Sequence, residues 1–254
     1  MGPEDYVVCT LREVRDVTPT CRTFKFDLPR GRVLRARPGQ HLVLKLETET
    51  CSFTRQFTIL LPPPQQCADG EFPSVATSFD VLIKLYEGGR ASALIGEWRA
   101  GQEAPWRGPF GTFSYARNAF RFLVVLAVGT GVLPVATAVE SVLADEEDET
   151  RVDVLLGFRS TAEFLLCDRW REMARFWNVT LELFFSRSTA AEVNKCSFAK
   201  AVHTGTRIGP EDISKRAKRS EETLFLVCGT TDFEKSTIAS LKALGVPTER
   251  IKKF

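Results

Sequence analysis

Several things are missing from this chain. No apolar run reaches the ~18 residues that a membrane-spanning helix needs, so no transmembrane segment is expected. The N-terminus has none of the basic, apolar and small-residue succession of a secretory signal. The seven cysteines (Cys9, Cys21, Cys51, Cys67, Cys167, Cys196, Cys228) are odd in number, scattered and free of any C-x-x-C pair. That argues against a disulfide framework, a structural zinc and an iron–sulfur cluster, and it fits a reducing compartment. The only two histidines, His41 and His203, are too far apart in sequence to suggest a metal site, and no Ser-His-Asp logic is visible. Neither sign of charge is in large excess; a net charge of +2 does not support nucleic acid as a partner. Met1-Gly2 begins like an acylation signal, but Tyr6 stands where Ser or Thr is expected and Pro3 is a poor follower. A cytoplasmic location is expected, with peripheral association with a membrane also compatible.

What is present is organised around Ala127-Val128-Gly129-Thr130-Gly131-Val132-Leu133-Pro134. The segment before it, Phe120 to Leu126, is nearly unbroken apolar sequence, the habit of a parallel strand covered on both faces. Pro134 suits the first turn of a helix, where a missing N–H costs nothing. The stretch therefore predicts strand, glycine turn, helix, with glycines that let the backbone approach a ligand and helix N–H groups open to a phosphate. The third glycine of a G-x-G-x-x-G fingerprint is absent, which disfavours an ordinary dinucleotide fold of that type.

Upstream the chain reads as β. Tyr6–Leu11, Cys21–Leu28, His41–Leu46, Arg55–Leu60, Phe79–Tyr86 and Thr112–Tyr115 are rich in strand formers. Pro29-Arg30-Gly31, Pro38-Gly39, Gly88-Gly89 and Arg107-Gly108-Pro109 supply turns between them, which suggests a barrel or sandwich. One helix is expected over Ala91–Trp98, and Pro62 to Ser78 reads as a loop. Downstream, strands at Val152–Phe158, Val179–Phe185 and Thr223–Cys228 alternate with helices at Pro134–Ala144, Glu163–Phe176, Pro210–Arg219 and Phe233–Leu244. That is the order of an open parallel α/β sheet, in which ligands bind beyond the carboxyl ends of the strands, where Gly129, Gly157, Ser186 and Gly229 fall. The expected division is a barrel domain over 1–117 and an α/β domain over 118–254. Two charge runs, Asp145–Glu149 and Lys215–Arg219, are expected to be solvated; a nuclear signal or a docking patch for an acidic electron carrier is the other reading of the second.

Arg55-Gln56-Phe57-Thr58, then Ile83-Lys84-Leu85-Tyr86, Gly88-Gly89-Arg90-Ala91-Ser92, Arg107-Gly108-Pro109-Phe110-Gly111, the Gly129 turn and Cys228-Gly229 follow one another in an order that resembles the ferredoxin–NADP reductase superfamily. Within it the likeness is to the cytochrome b5 reductase family, and it covers nearly the whole chain. The resemblance implies a Greek-key barrel that holds FAD, an α/β domain that holds NADH or NADPH, and hydride transfer between them. It further implies single-electron delivery to a haem protein such as cytochrome b5 or another one-electron acceptor. A catalytically silent binding protein on the same fold, or an electron-transfer subunit of a larger complex, are the other two readings.

The residues can be matched to these roles. Arg55 has a guanidinium fork suited to a diphosphate, and strand alternation puts Phe57 on the same face, beside a flavin. Phe57 stands where the family usually has Tyr; it keeps the ring and loses the hydroxyl. The resemblance places Thr58 at the flavin N5 edge and Lys84 and Tyr86 near flavin and nicotinamide, with Lys84 and Tyr86 on one strand face by alternation. Gly89, Arg90, Ala91 and Ser92 open the short helix as a diphosphate cradle. Gly129, Thr130, Gly131, Pro134 and Gly229 would seat the nicotinamide nucleotide, and Cys228 would help to position its ring, as a neighbour rather than a nucleophile. Thr58, Lys84 and Cys228 are thus the candidate catalytic residues, and no metal is called for. Thr230-Thr231 replace prolines common after the Cys-Gly pair, and Leu133 stands where relatives often have Thr or a small residue. Ser186-Arg187 resembles the pair that grips a 2′-phosphate, while Ser188 stands where NADH-specific relatives often carry an acid, so the pair favours NADPH without closing the choice.

Overall fold

The structure is a computed structural model that describes residues 2, 4–62, 74–111, 113 and 115–254. They divide into two compact units, Met1–Phe113 and Ser114–Phe254.

The first unit carries β1 (Val7–Thr18), β2 (Cys21–Asp27), β3 (Leu34–Ala36), β4 (His41–Glu47), β5 (Ser52–Thr58), β6 (Ser74–Ala76), β7 (Ser78–Lys84), α1 (Arg90–Gly96) and β8 (Glu103–Phe110). Six strands form one antiparallel sheet in the order β5-β4-β8-β1-β2-β7, and β3 pairs separately with β6. A bridge between Ile59 and Val81 joins the two ends of the long sheet, so it curls into a barrel. Period-two alternation builds the interior: Phe24 and Phe26 from β2, Leu42, Leu44 and Leu46 from β4, and Trp106 from β8 all face in and are buried. Trp106 is the hub, with Phe26, Phe57 and Phe79 in edge contact at 5.1–6.0 Å between ring centroids.

The second unit carries β9 (Phe122–Val128), α2 (Val132–Leu143), β10 (Arg151–Phe158), α3 (Cys167–Met173), β11 (Val179–Phe185), β12 (Ala201–Thr204), α4 (Pro210–Ala217), β13 (Thr223–Cys228), α5 (Thr231–Ala243) and β14 (Ile251–Lys253). Its sheet is parallel, in the order β12-β11-β10-β9-β13-β14. β9 and β13 are buried along almost their whole length, which is why both read as unbroken apolar runs. The strand order turns back at β9, with β10 on one side and β13 on the other, and such a switch point opens a crevice at the carboxyl ends. α2 is buried on every face of its first two turns, and its one buried acid, Glu140, is met by Arg169 of the α3 helix.

The barrel followed by a parallel α/β sheet is the architecture expected from the sequence. Several local expectations are corrected. Arg107-Gly108-Pro109 is not a turn but lies inside β8; a register slip opposite His41–Val43 and the positive φ of Gly108 mark a bulge there. β7 stops at Lys84, so Tyr86 is beyond the strand and alternation does not relate the two. The helix expected from Glu163 starts only at Cys167, after Leu166 in a left-handed conformation, because Phe164 turns inward to Phe158 and Phe185. Of the strand expected over Thr112–Tyr115, Thr112 and Ser114 lie outside the described residues, and Phe113 and Tyr115 are not in a strand. The loop expected over Pro62–Ser78 falls largely on 63–73, also outside them; Ser74–Ala76 is β6. Neither charge run is wholly solvated. Asp148 is buried and accepts the Thr150 amide at 2.9 Å, and Arg216 turns inward to Asp153 at 2.9 Å and Glu182 at 2.6 Å. Among the described residues no helix is long and apolar enough to cross a membrane, and no three His, Cys, Asp or Glu cluster as metal ligands.

Candidate cofactor sites

In the barrel unit, β5 presents Phe53, Arg55 and Phe57 on one face. The Arg55 guanidinium lies 5.0 Å from the Phe53 ring centroid, and that of Arg90, from the start of α1, lies 4.3 Å from the same ring. Two guanidinium groups from separate elements thus converge on one aromatic platform, and neither forms an ion pair among the described residues. Phe53 was not among the candidates. Its signal was available, since it stands two residues before Arg55 on the same strand face.

The start of α1 completes the group. Its N-cap is Gly89, which has no side chain to satisfy the first amides, so the N–H groups at the helix start are open. Ser92 Oγ accepts the Tyr86 amide at 2.8 Å, which folds the loop back over the helix and leaves the hydroxyl proton to be donated elsewhere. A Cβ at Gly89 would crowd Ser92 Oγ at 3.0 Å and the Tyr86 carbonyl at 3.1 Å. Ala91 is half-buried against the barrel core and anchors the turn. Two guanidinium forks with no carboxylate partner among the described residues, a hydroxyl proton and open amides form a donor set that fits the diphosphate of FAD, although Arg55 Nη1 also donates to the Thr54 carbonyl at 2.8 Å. Phe57 packs its ring edge against Trp106, and Thr58 pairs with His41 at the end of β5. Lys84 Nζ sits 5.9 Å from the centroid of the Tyr86 ring, and Tyr86 is 57% exposed.

In the α/β unit the glycines meet at the switch point. A Cβ on Gly131 would lie 2.5 Å from the carbonyl carbon and oxygen of Cys228 and 2.7 Å from the Gly229 nitrogen. A Cβ on Gly229 would overlap the Val128 side chain. Gly129 has a φ of +56° and open space around its Cβ position. The sequence-predicted Gly129, Gly131, Cys228 and Gly229 are therefore brought together, with Thr130 half-buried in the same turn and Pro134 in the first turn of α2. Burial, with the neighbouring Glu234 charge as a smaller cause, pushes the Cys228 thiol up to about 12, so it stays protonated and is not a nucleophile.

Ser186 and Arg187 follow β11. The Ser186 amide donates to Phe158 O at 3.1 Å and the Arg187 amide to Arg159 O at 2.7 Å, so Arg187 and Arg159 leave the sheet side by side, both exposed. Ser188 is buried, with its Oγ accepting the Thr161 amide at 3.1 Å, so it faces into the protein rather than a ligand. Arg159 was also missed; like Arg187 it follows the end of a predicted strand.

A barrel with a diphosphate donor set and a parallel sheet with a glycine crevice define a flavin- and nicotinamide-nucleotide-dependent reductase. Comparison with known proteins agrees: residues 8–115 match the oxidoreductase FAD-binding domain and residues 125–238 the oxidoreductase NAD-binding domain. The chain is 32% identical over 247 residues to the NADH-cytochrome b5 reductase-like proteins of Mus musculus and of Homo sapiens, covering 97% of this chain and 75% of each relative. Its fold is similar to the cytochrome b5 reductase domain of Ulva prolifera nitrate reductase (TM-score 0.78, 20% identity, 100% of this chain and 99% of that one). It is also similar to a Neisseria gonorrhoeae ferredoxin NADP+ reductase with bound FAD and NADP (TM-score 0.74, 18% identity, 98% of both chains). The chain belongs to the NADH-cytochrome b5 reductase-like family, and it is an NAD(P)H-dependent flavoprotein oxidoreductase.

Proposed function

We propose that this reductase delivers electrons singly to a haem protein of the cytochrome b5 kind. Bound FAD supplies the chemistry, taking a hydride from NAD(P)H and releasing its electrons one at a time; the protein orients and tunes it. Arg55, Arg90 and Ser92, with the amides of Arg90–Ser92, hold the flavin diphosphate. Phe57 offers an aromatic surface fixed by Trp106, and Thr58 is the polar group for the flavin edge. Tyr86 and Lys84 border the incoming nucleotide. Gly129, Thr130, Gly131, Pro134 and Gly229 seat that nucleotide, and protonated Cys228 packs beside its ring. A cytoplasmic working place is part of the same proposal and rests on the unpatterned cysteines.

The observation that carries the flavin part is the convergence of Arg55 and Arg90 on Phe53 beside an uncapped helix start. The acceptor part draws on the names of the relatives. Purified protein is expected to be yellow, to bleach with reduced nucleotide, and then to reduce cytochrome b5 as well as ferricyanide. Bleaching without reduction of any haem protein would restrict the activity to other acceptors; a colourless protein that takes up no added flavin would end the proposal.

Nucleotide choice is proposed to rest on Arg187, with Ser186. Arg187→Ala is expected to raise KM for NADPH about tenfold, as loss of a charge-assisted phosphate contact does, and to leave KM for NADH nearly unchanged. Steady-state kinetics with both nucleotides at equal salt checks this. Equal effects on the two would remove the 2′-phosphate role.

A further inference from the structure

No proline stiffens the chain between Gly229 and Phe233, yet the turn after β13 is tied down in another way. Glu234, in the first turn of α5, is buried. Its Oε1 accepts the Gly229 amide at 3.1 Å, and its Oε2 meets Lys253 Nζ at 2.9 Å. Lys253 ends β14, opposite Val227 in the register with β13, and the next amide, that of Phe254, donates to Val227 O at 3.3 Å. Thr230 adds the helix cap, its hydroxyl accepting the Phe233 amide at 3.4 Å.

A carboxylate at a helix start is often no more than a favourable partner for the helix dipole. Asp232, exposed in the same turn, already fills that role. Glu234 differs because it is buried and both its oxygens are committed, one to the residue after Cys228 and one to the last strand. A buried carboxylate is costly unless paired, and Lys253 meets that need while its own side chain stays more than half exposed.

We infer that Glu234 and Lys253 are positioning residues for the nicotinamide nucleotide, a carboxylate clamp that joins α5 and β14 to the Cys228-Gly229 turn on which Gly131 packs. The inference rests on the reading above that this turn borders the nucleotide. Because Gly131 lies against the Cys228 carbonyl and the Gly229 nitrogen, any drift of the turn displaces the glycine loop as well. The clamp thus holds two walls of the crevice with one side chain.

The test uses the full-length flavoprotein with Glu234→Ala, Glu234→Gln, Lys253→Met and Lys253→Arg. Four quantities are measured: hydrogen exchange at the Gly229 amide, iodoacetamide alkylation of Cys228 followed by peptide mass, Kd of NAD+ and of NADP+ for the oxidised protein, and kcat and KM separately. Glu234→Ala is expected to speed exchange and alkylation about tenfold and to raise Kd and KM by a similar factor, with kcat falling less and FAD content unchanged. Glu234→Gln and Lys253→Met give smaller shifts in the same direction, and Lys253→Arg restores Gly229 protection. Unchanged exchange and alkylation in Glu234→Ala would overturn the clamp while leaving the assignment of the turn to the nucleotide in place. A loosened turn with unchanged nucleotide Kd would overturn the positioning role and, with it, that assignment. Should Glu234→Ala fail to fold, Lys253→Met makes both comparisons from the solvent end of the clamp.

Discussion

Gly131→Ala is expected to lower kcat/KM for the nicotinamide nucleotide about a hundredfold, the loss that follows when a binding wall moves by roughly an ångström. The added methyl would sit 2.5 Å from the backbone of Cys228, and backbone cannot swing aside as a side-chain tip can. Either the glycine turn lifts or the end of β13 recedes, and both reshape the crevice. The same overpacking is expected to cost about 2 kcal/mol of stability, read from urea unfolding of the holoprotein. FAD content is expected to stay at the wild-type level, because the substitution lies in the other unit. Gly129→Ala is the control. Its methyl meets open space, so only the strain of a left-handed backbone, about 1 kcal/mol, remains, and the kinetic loss is correspondingly smaller. Equal and slight effects at the two positions would mean that the contact with Cys228 does not shape the nucleotide site.

Arg55→Ala is expected to yield mostly flavin-free protein. A hydrogen bond to a charged group contributes about 1.5–3 kcal/mol, so losing one two-pronged guanidinium weakens flavin binding on the order of a hundredfold. Arg90→Ala should act in the same direction, and the double variant should take up no flavin that survives gel filtration. Arg55→Lys separates charge from shape: it keeps the positive charge and lacks the planar fork, so partial occupancy is expected. Phe53→Ala should loosen both arginines at once, because both guanidinium groups lie over its ring. Flavin absorbance per mole of protein reads all five variants. Full occupancy in Arg55→Ala would contradict the phosphate role.

The parts legible in the sequence share a cause. β9 and β13 are covered on both faces, so their residues had to be continuously apolar, and of the glycines after them Gly131 had to lack a side chain because the Cys228 backbone passes within contact distance, Gly229 because Val128 fills the space, and Gly129 because its φ is positive. Arg55, Phe57 and the Gly89–Ser92 turn were legible because strand period and helix start each leave a local pattern. β3, β6, β12 and β14 were not, since three or four residues are too few to show a period. The bulge in β8 looked like a turn because Gly-Pro carries the same local signal in both settings.

By itself the sequence determined the two-part plan, most of the longer strands and helices, and the glycine positions where a ligand could come close. Those follow from hydrophobic period and backbone freedom, which act over a few residues. Only the tertiary structure decided which charges serve which ends: Arg90 joins Arg55 over Phe53, Arg216 leaves the solvated run for Asp153 and Glu182, and Glu234 reaches both Gly229 and Lys253. Charged side chains are long and find partners across the sheet or from the next helix, and spacing along the chain carries no record of such meetings.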